Sequence, residues 1–215
     1  HGNIVGSSTW SVTSIPYLII NGQRVTVGNG SSQPGQLTIA PGVVVKLWNT
    51  EHLTMYANSL ITAVGTSTAS IVFTSFRDDA VMNDAQPSDA NPPAAGDWRG
   101  IFVEGPAAGR FEHVAVKYGG SQSVGGPDQA ALSFNGENLT ARHLTVLKSG
   151  GHGVKLSNGS ISLTDSEVSS STLSGVRLAG TGSPVIERNL IGGNGEYGIR
   201  GHDSTMRPVV RDNQI

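Results

Sequence analysis

The chain has 215 residues, a formal net charge of −2, no cysteine, and only 14% charged residues. The near-neutral charge argues against a general nucleic-acid binder, and the lack of cysteine excludes disulfides and thiolate metal sites. No apolar run reaches the length of a membrane span. The 29 glycines, about double the usual share of ~7%, favour strands and turns over helices.

The first half of the chain contains short apolar runs separated by polar turn residues. Residues 1–36 are predicted to form opening or cap strands, and residues 37–109 to form irregular repeats interrupted by a long polar loop at 76–97. The strand candidates are Leu37–Ile39, Val43–Leu47, Leu53–Tyr56, Leu60–Val64, Ile71–Ser75 and Gly100–Glu104. Their length and β-branched content favour strands.

Residues 110–215 carry a more regular repeat. Val168 is followed eight residues later by Val176, and Ile191 is followed in the same way by Ile199. The residues that begin successive repeats, Val146, Val168 and Ile191, lie 22 and 23 residues apart. A second set of apolar residues precedes the first by five positions: Phe111, Ala141, Leu163, Ile186 and Val210. One insertion, Gly119–Gln129, lengthens a single repeat.

This period is too short for helical-pair repeats, which need about 33 residues or more. Three short strands per repeat, joined by Gly, Asn and Ser turns, fit it. Parallel strands joined in this way wind right-handed. The sequence therefore predicts one all-β domain, a right-handed parallel β-helix of about six to seven coils and about 30 Å in length.

Four stretches between residues 37 and 101 resemble a family of bacterial right-handed β-helix surface proteins: LTIAPGVVVKL, AVGT, IVFTSFRDD and PAAGDWRGI. The later stretches SPVIERNLIGGNGEYGI and RPVVRDNQI resemble repeats of the pectate-lyase-like superfamily. The resemblance implies a secreted or surface-displayed protein. It implies no single function, because the fold hosts lyases, glycosidases, tailspikes, adhesins and passive stalks.

The long loop is where members of that family often carry a calcium loop. Here the loop reads DDAVMNDAQPSDAN, without the regular spacing of a calcium motif. Its candidate ligands are Asp78, Asp79, Asp84 and Asp89. A solvated loop without calcium is the alternative that the sequence favours.

Outward residues at equivalent positions of successive coils are expected to stack in columns. Lys155, Arg177 and Arg200 form a basic column, in which like charges lie about 5 Å apart. An anionic glycan would offset their repulsion, and splaying of the side chains into water is the alternative. A second outer column mixes charges and predicts a structural ladder: Glu112, Arg142, Thr164, Glu187 and Arg211.

Two further columns lie at a turn between strands. One reads His113, His143, Asp165, Arg188 and Asp212. It suggests acid–base chemistry or a two-histidine metal site, although plain turn residues are the favoured interpretation. The other faces inward and predicts a hydrogen-bonded ladder of Ser166, Asn189 and Asn213.

The leading functional hypothesis is an extracellular structural or adhesive module that is not an enzyme and that contacts a cell-surface or extracellular anionic polysaccharide. The alternative is a carbohydrate-active enzyme or carbohydrate-binding module, with loops 76–97 and 119–129 as the walls of a cleft. Because no capping element follows Arg207–Ile215, we also expect either end-to-end self-association or continuation of a longer β-helix. No cofactor other than calcium is predicted.

Overall fold

A computed structural model describes residues 2–30, 32–82, 91–122, 129–136 and 138–215, and describes only the backbone of 202–204. Its strands are β1 Gly2–Ile4, β2 Gly6–Trp10, β3 Tyr17–Ile19, β4 Val25–Val27, β5 Gly35–Ile39, β6 Val44–Leu47, β7 His52–Met55, β8 Leu60–Val64, β9 Ile71–Ser75, β10 Gly100–Val103, β11 Ala108–Lys117, β12 Ala130–Asn135, β13 Leu139–Leu147, β14 His152–Ser157, β15 Ile161–Thr164, β16 Glu167–Ser169, β17 Val176–Gly180, β18 Val185–Glu187, β19 Leu190–Gly192, β20 Ile199–Ser204 and β21 Val209–Arg211. Within these ranges no helix is long and apolar enough to cross a membrane.

The strands form three parallel β-sheets. Sheet 1 has the order β1-β4-β7-β10-β12-β14-β17-β20. Sheet 2 has the order β2-β5-β8-β11-β13-β15-β18-β21, and sheet 3 contains β3, β6, β9, the second halves of β11 and β13, β16 and β19. Each strand pairs with the equivalent strand one turn of the chain later, not with its sequence neighbour. The chain is therefore the predicted right-handed parallel β-helix, with seven complete coils and the start of an eighth among the described residues.

The apolar columns predicted from the repeat are confirmed by the strand register. Phe111 pairs with Ala141, Ala141 with Leu163, and Leu163 with Ile186. These side chains are at most 1% exposed. Because alternate residues of a strand point to opposite faces, each strand sends one such set inward. The core is thus a continuous apolar column inside the coils.

The long loop before β10 is anchored by a tryptophan. Trp98 is fully buried, and its indole Nε1 donates a hydrogen bond of 2.8 Å to the carbonyl oxygen of Lys117. Gly119 packs against this ring so closely that an added Cβ would lie 3.1 Å from Trp98 Cζ2. The loop anchor therefore belongs to the wall of the stack and ties two coils together.

We expect Phe111→Ala to reduce the free energy of unfolding by about 3–5 kcal/mol, because it leaves a cavity in the middle of the core column. Phe111 is 0% exposed, and its ring centroid lies 5.3 Å from that of Phe134. Leu60→Ala, at a residue 37% exposed, is the matched control and should cost much less. Urea unfolding followed by circular dichroism measures both. Equal losses for the two variants would contradict this position of the core.

Candidate functional site

The predicted basic column has the expected register. Lys155 on β14 pairs with Arg177 on β17, and Arg177 pairs with Arg200 on β20. All three side chains lie on the outer face of sheet 1 and are partly exposed. Neighbouring strands are about 4.8 Å apart, so three cationic side chains leave the sheet at that spacing. Their role in binding stays a prediction.

Local contacts hold the arginines of this column in place. Arg200 Nη1 donates a 2.8 Å hydrogen bond to Glu196 Oε2, which also accepts one of 3.1 Å from Ser174 Oγ. The guanidinium of Arg200 lies 5.8 Å from the ring centroid of Tyr197, which is 59% exposed. Arg177 Nη1 donates to the carbonyl oxygen of Leu178 at 2.7 Å. Since a guanidinium has five N–H donors, the bond to Glu196 leaves others on Arg200 for a ligand.

The mixed-charge column on sheet 2 is an ion-pair ladder. Glu112 accepts a hydrogen bond from Arg142 in the next coil and one of 2.6 Å from Arg110 on its own strand. Both bonds lower the pKa of Glu112, from 4.5 to about 2, and the bond from Arg142 has the larger effect. Glu187 forms the same kind of contact with Arg211 at 2.8 Å. The ladder holds neighbouring coils together by charge-assisted hydrogen bonds.

The corner between sheets 2 and 3 is built from left-handed residues. This corner column has φ values of 49–55° in five successive coils: His113, His143, Asp165, Arg188 and Asp212. Most side chains avoid this conformation, which Asn, Asp and His adopt more readily than others. This conformation turns the chain sharply, so that the first half of a strand such as β11 pairs in sheet 2 and its second half pairs in sheet 3.

The side chains of the corner column pair off. The rings of His113 and His143 are stacked, with centroids 4.6 Å apart and planes inclined by 16°. Arg188 donates two hydrogen bonds to Asp165, of 2.7 and 2.9 Å. These bonds lower the pKa of Asp165 and raise that of Arg188.

An open groove of about 600 Å³ runs along this corner. It is lined by four residues of the corner column, His113, His143, Asp165 and Arg188, and Ser67 and Ser70 form part of its wall. Sequence reasoning missed this wall, because the serines belong to a turn closed by the bridge between Thr66 and Ala69 outside the repeat. We call this feature the corner groove.

The inward polar residues form the predicted ladder of hydrogen bonds. Asn213 Oδ1 accepts from the backbone N–H of Asn189, Asn189 Oδ1 from that of Ser166, and Ser166 Oγ from that of Leu144, at 2.9–3.0 Å. Asn189 Nδ2 also donates to the carbonyl oxygen of Leu163 at 3.0 Å. Each side chain thus accepts a hydrogen bond from a backbone N–H group at the corner of the preceding coil.

A second such ladder was missed by sequence reasoning. Asn194 Oδ1 accepts from the backbone N–H of Ser171 at 3.0 Å, and Asn194 Nδ2 donates to the carbonyl oxygen of Val168 at 3.3 Å. Ser171 and Asn194 are 23 residues apart, which equals the repeat. That spacing was the signal that would have identified the contact.

The predicted calcium ligands are only partly described. Asp78 Oδ2 accepts a 2.6 Å hydrogen bond from Thr74 Oγ1, and Asp79 Oδ1 lies 3.4 Å from the Nζ of the fully buried Lys46. Asp84 and Asp89 lie outside the described residues. Within the described ranges no group of three or more His, Cys, Asp or Glu is arranged to hold a metal ion. The two described carboxylates therefore have protein partners, and calcium binding stays a prediction.

Comparison with known proteins agrees with the repeat. Residues 129–215 match the family model described as right handed beta helix region. No curated protein and no solved structure matches the chain. The match supports the β-helix repeat fold of the regular coils, whereas bacterial origin and the pectate-lyase-like superfamily stay predictions.

We expect Asn189→Leu to lower the free energy of unfolding by about 1–3 kcal/mol for each buried backbone group that loses its partner. The groups at risk are the N–H of Ser166 and the carbonyl of Leu163. Ser162→Ala, on the outer face of the same stack, is the control and should change stability by less than about 0.5 kcal/mol. Equal stability of the two variants in urea would contradict the ladder.

The ion-pair ladder predicts a pH dependence. The folded pKa of Glu112 lies below its ordinary value, so its ionised form stabilises the fold above about pH 4.5, and this contribution is lost as the pH falls toward about 2. The free energy difference between the wild type and Glu112→Gln should therefore be full at neutral pH and shrink across that interval. Thr38→Val, an outer-face change without a titratable group, is the control. A Glu112→Gln difference that stays constant down to pH 3 would contradict the ladder.

Proposed function

We propose that this chain is an extracellular structural or adhesive β-helix module that binds an anionic polysaccharide along the outer face of sheet 1. The observation that supports the proposal best is the in-register stacking of Lys155, Arg177 and Arg200 on three successive strands. The fold itself hosts many functions, so the argument rests on this surface and not on the fold.

The spacing of the basic column suits a linear polymer of charged sugars. One cation leaves the sheet per coil, about every 4.8 Å along the helix axis. This is comparable to the length of one sugar ring, so successive coils can contact successive sugars of a uronate polymer that lies parallel to the axis. Arginine also recognises carboxylates and phosphates with two parallel hydrogen bonds.

An exposed aromatic ring extends the same surface. Tyr197 and Arg200 line a surface pocket of about 260 Å³ together with Ile199 and Gly201. Aromatic rings give a sugar an apolar face to pack on, while the phenol stays in water. A charged group and an aromatic group side by side are what an acidic sugar ring requires.

The electrostatics of the site are local. The chain as a whole carries a net charge of −2, so attraction of a polyanion depends on the basic column and acts over about a Debye length, near 8–10 Å at ordinary ionic strength. Binding should therefore weaken steeply as salt is added.

The enzyme alternative has its own observation. The corner groove brings together His143, Asp165 and Glu167, which are residue types used in acid–base catalysis. However, hydrogen bonds from Arg188 lower the pKa of Asp165, whereas the general acid of a glycosidase has a raised pKa. Asp165 is therefore unsuited to the role of general acid.

The test is binding of uronate polymers by calorimetry at low salt, with alginate and polygalacturonate as probes, a wall teichoic acid as the phosphate-bearing probe and dextran as the neutral control. We expect Arg177→Gln to weaken binding about ten-fold or more, the loss of one charge-assisted hydrogen bond. Arg110→Gln, the same charge change on sheet 2, is the matched control and should bind like the wild type.

Two outcomes would contradict the proposal. One is that no acidic polymer binds better than dextran, or that Arg177→Gln and Arg110→Gln bind equally well. The other is the release of unsaturated sugar products during the assay, which would identify a lyase instead.

A further inference from the structure

Two imidazole rings lie face to face on the outside of the corner. Their flanking residues pair in register, Glu112 with Arg142 and Val114 with Leu144, so His113 and His143 occupy equivalent positions in successive coils. Their φ values are 49° and 51°, and their rings are inclined by only 16°. With the same backbone conformation and nearly parallel rings, the two side chains leave the stack in the same direction.

The backbone does not demand histidine at these positions. The next coils carry Asp165, Arg188 and Asp212 in the same left-handed conformation. The stacked pair is therefore a property of these two side chains and not of the turn. Both line the corner groove, beside the ion pair of Asp165 and Arg188.

We propose that His113 and His143 together bind one divalent transition-metal ion of the zinc, nickel or copper class, with water in its remaining positions. Imidazole nitrogen is a preferred ligand of these ions, whereas calcium and magnesium prefer oxygen. This site is separate from the basic column on sheet 1, and neither proposal depends on the other.

Binding of one ion requires both rings to be reoriented. With a metal–nitrogen distance of about 2.1 Å, tetrahedral coordination places two nitrogens roughly 3.4 Å apart. The rings are stacked with centroids 4.6 Å apart and nearly parallel planes, so both rings must rotate until the in-plane lone pair of one nitrogen of each points at the same ion. His143 is exposed and His113 partly exposed, so rotation about the side-chain bonds can supply this movement.

The surroundings define the class of site. Because the described part of the chain contains no group of three or more His, Cys, Asp or Glu arranged to hold a metal ion, the site among these residues consists of the two imidazoles. The remaining positions of the ion face an open groove and can be exchanged. Such an ion can accept a carboxylate or phosphate oxygen from a bound molecule, as metals with open positions do.

Calorimetric titration of the full chain with nickel chloride at pH 7.5 is the test, repeated with zinc chloride. We expect one ion per chain. His113→Asn and His143→Asn should each weaken binding at least ten-fold, because changes to groups that merely orient ligands already cost about 10–100-fold. Asparagine tolerates the left-handed backbone, so both variants should fold, as circular dichroism would verify.

The controls are His1→Ala and His52→Ala, the latter on sheet 1. Both should bind nickel like the wild type. Retention of binding by either folded corner variant, loss of binding in His1→Ala, or the absence of saturable binding by the wild type would overturn the proposal.

Discussion

The structure depends on one constraint: each coil hydrogen-bonds to the next coil in register, through parallel strands. A residue therefore has a fixed neighbour about 4.8 Å above it and another below it. Val146, for example, lies between Val116 and Val168. Because the backbone groups of one coil are satisfied by the next, no strand has to find a partner within its own coil. The same constraint that builds the core also decides which surface side chains meet.

Every candidate site is a consequence of this stacking. Like residues placed one above another have different effects according to their chemistry. Stacked asparagines satisfy the corner backbone, as Asn189 and Asn213 do, and alternating charges bind neighbouring coils, as Glu112 and Arg142 do. Stacked cations repel each other and present their charge to a ligand, whereas stacked imidazoles place two metal-binding groups side by side. For this reason the basic column and the histidine pair support the two proposals.

The repeat made much of the fold predictable from the sequence. Apolar residues 22 and 23 apart fixed the register of the regular coils, and the predicted strands Leu60–Val64 and Ile71–Ser75 coincide with the observed ones. Features outside the repeat were not predictable. Lys46 sits at an outward strand position but is fully buried beside Asp79 from the loop after β9. The wall of the corner groove likewise depends on the path of a turn, which side-chain periodicity does not encode.

The most direct test of the stacking is cross-linking between coils. The chain has no cysteine, so paired cysteines can be introduced at Thr140 and Ser162, which are register partners on β13 and β15. A disulfide requires Cα atoms about 4.4–6.8 Å apart, which adjacent coils meet. The account predicts rapid, nearly complete oxidation of this pair, and none for cysteines at Thr140 and Val185, two coils apart. The reverse result, or equal oxidation of both pairs, would contradict the in-register stack.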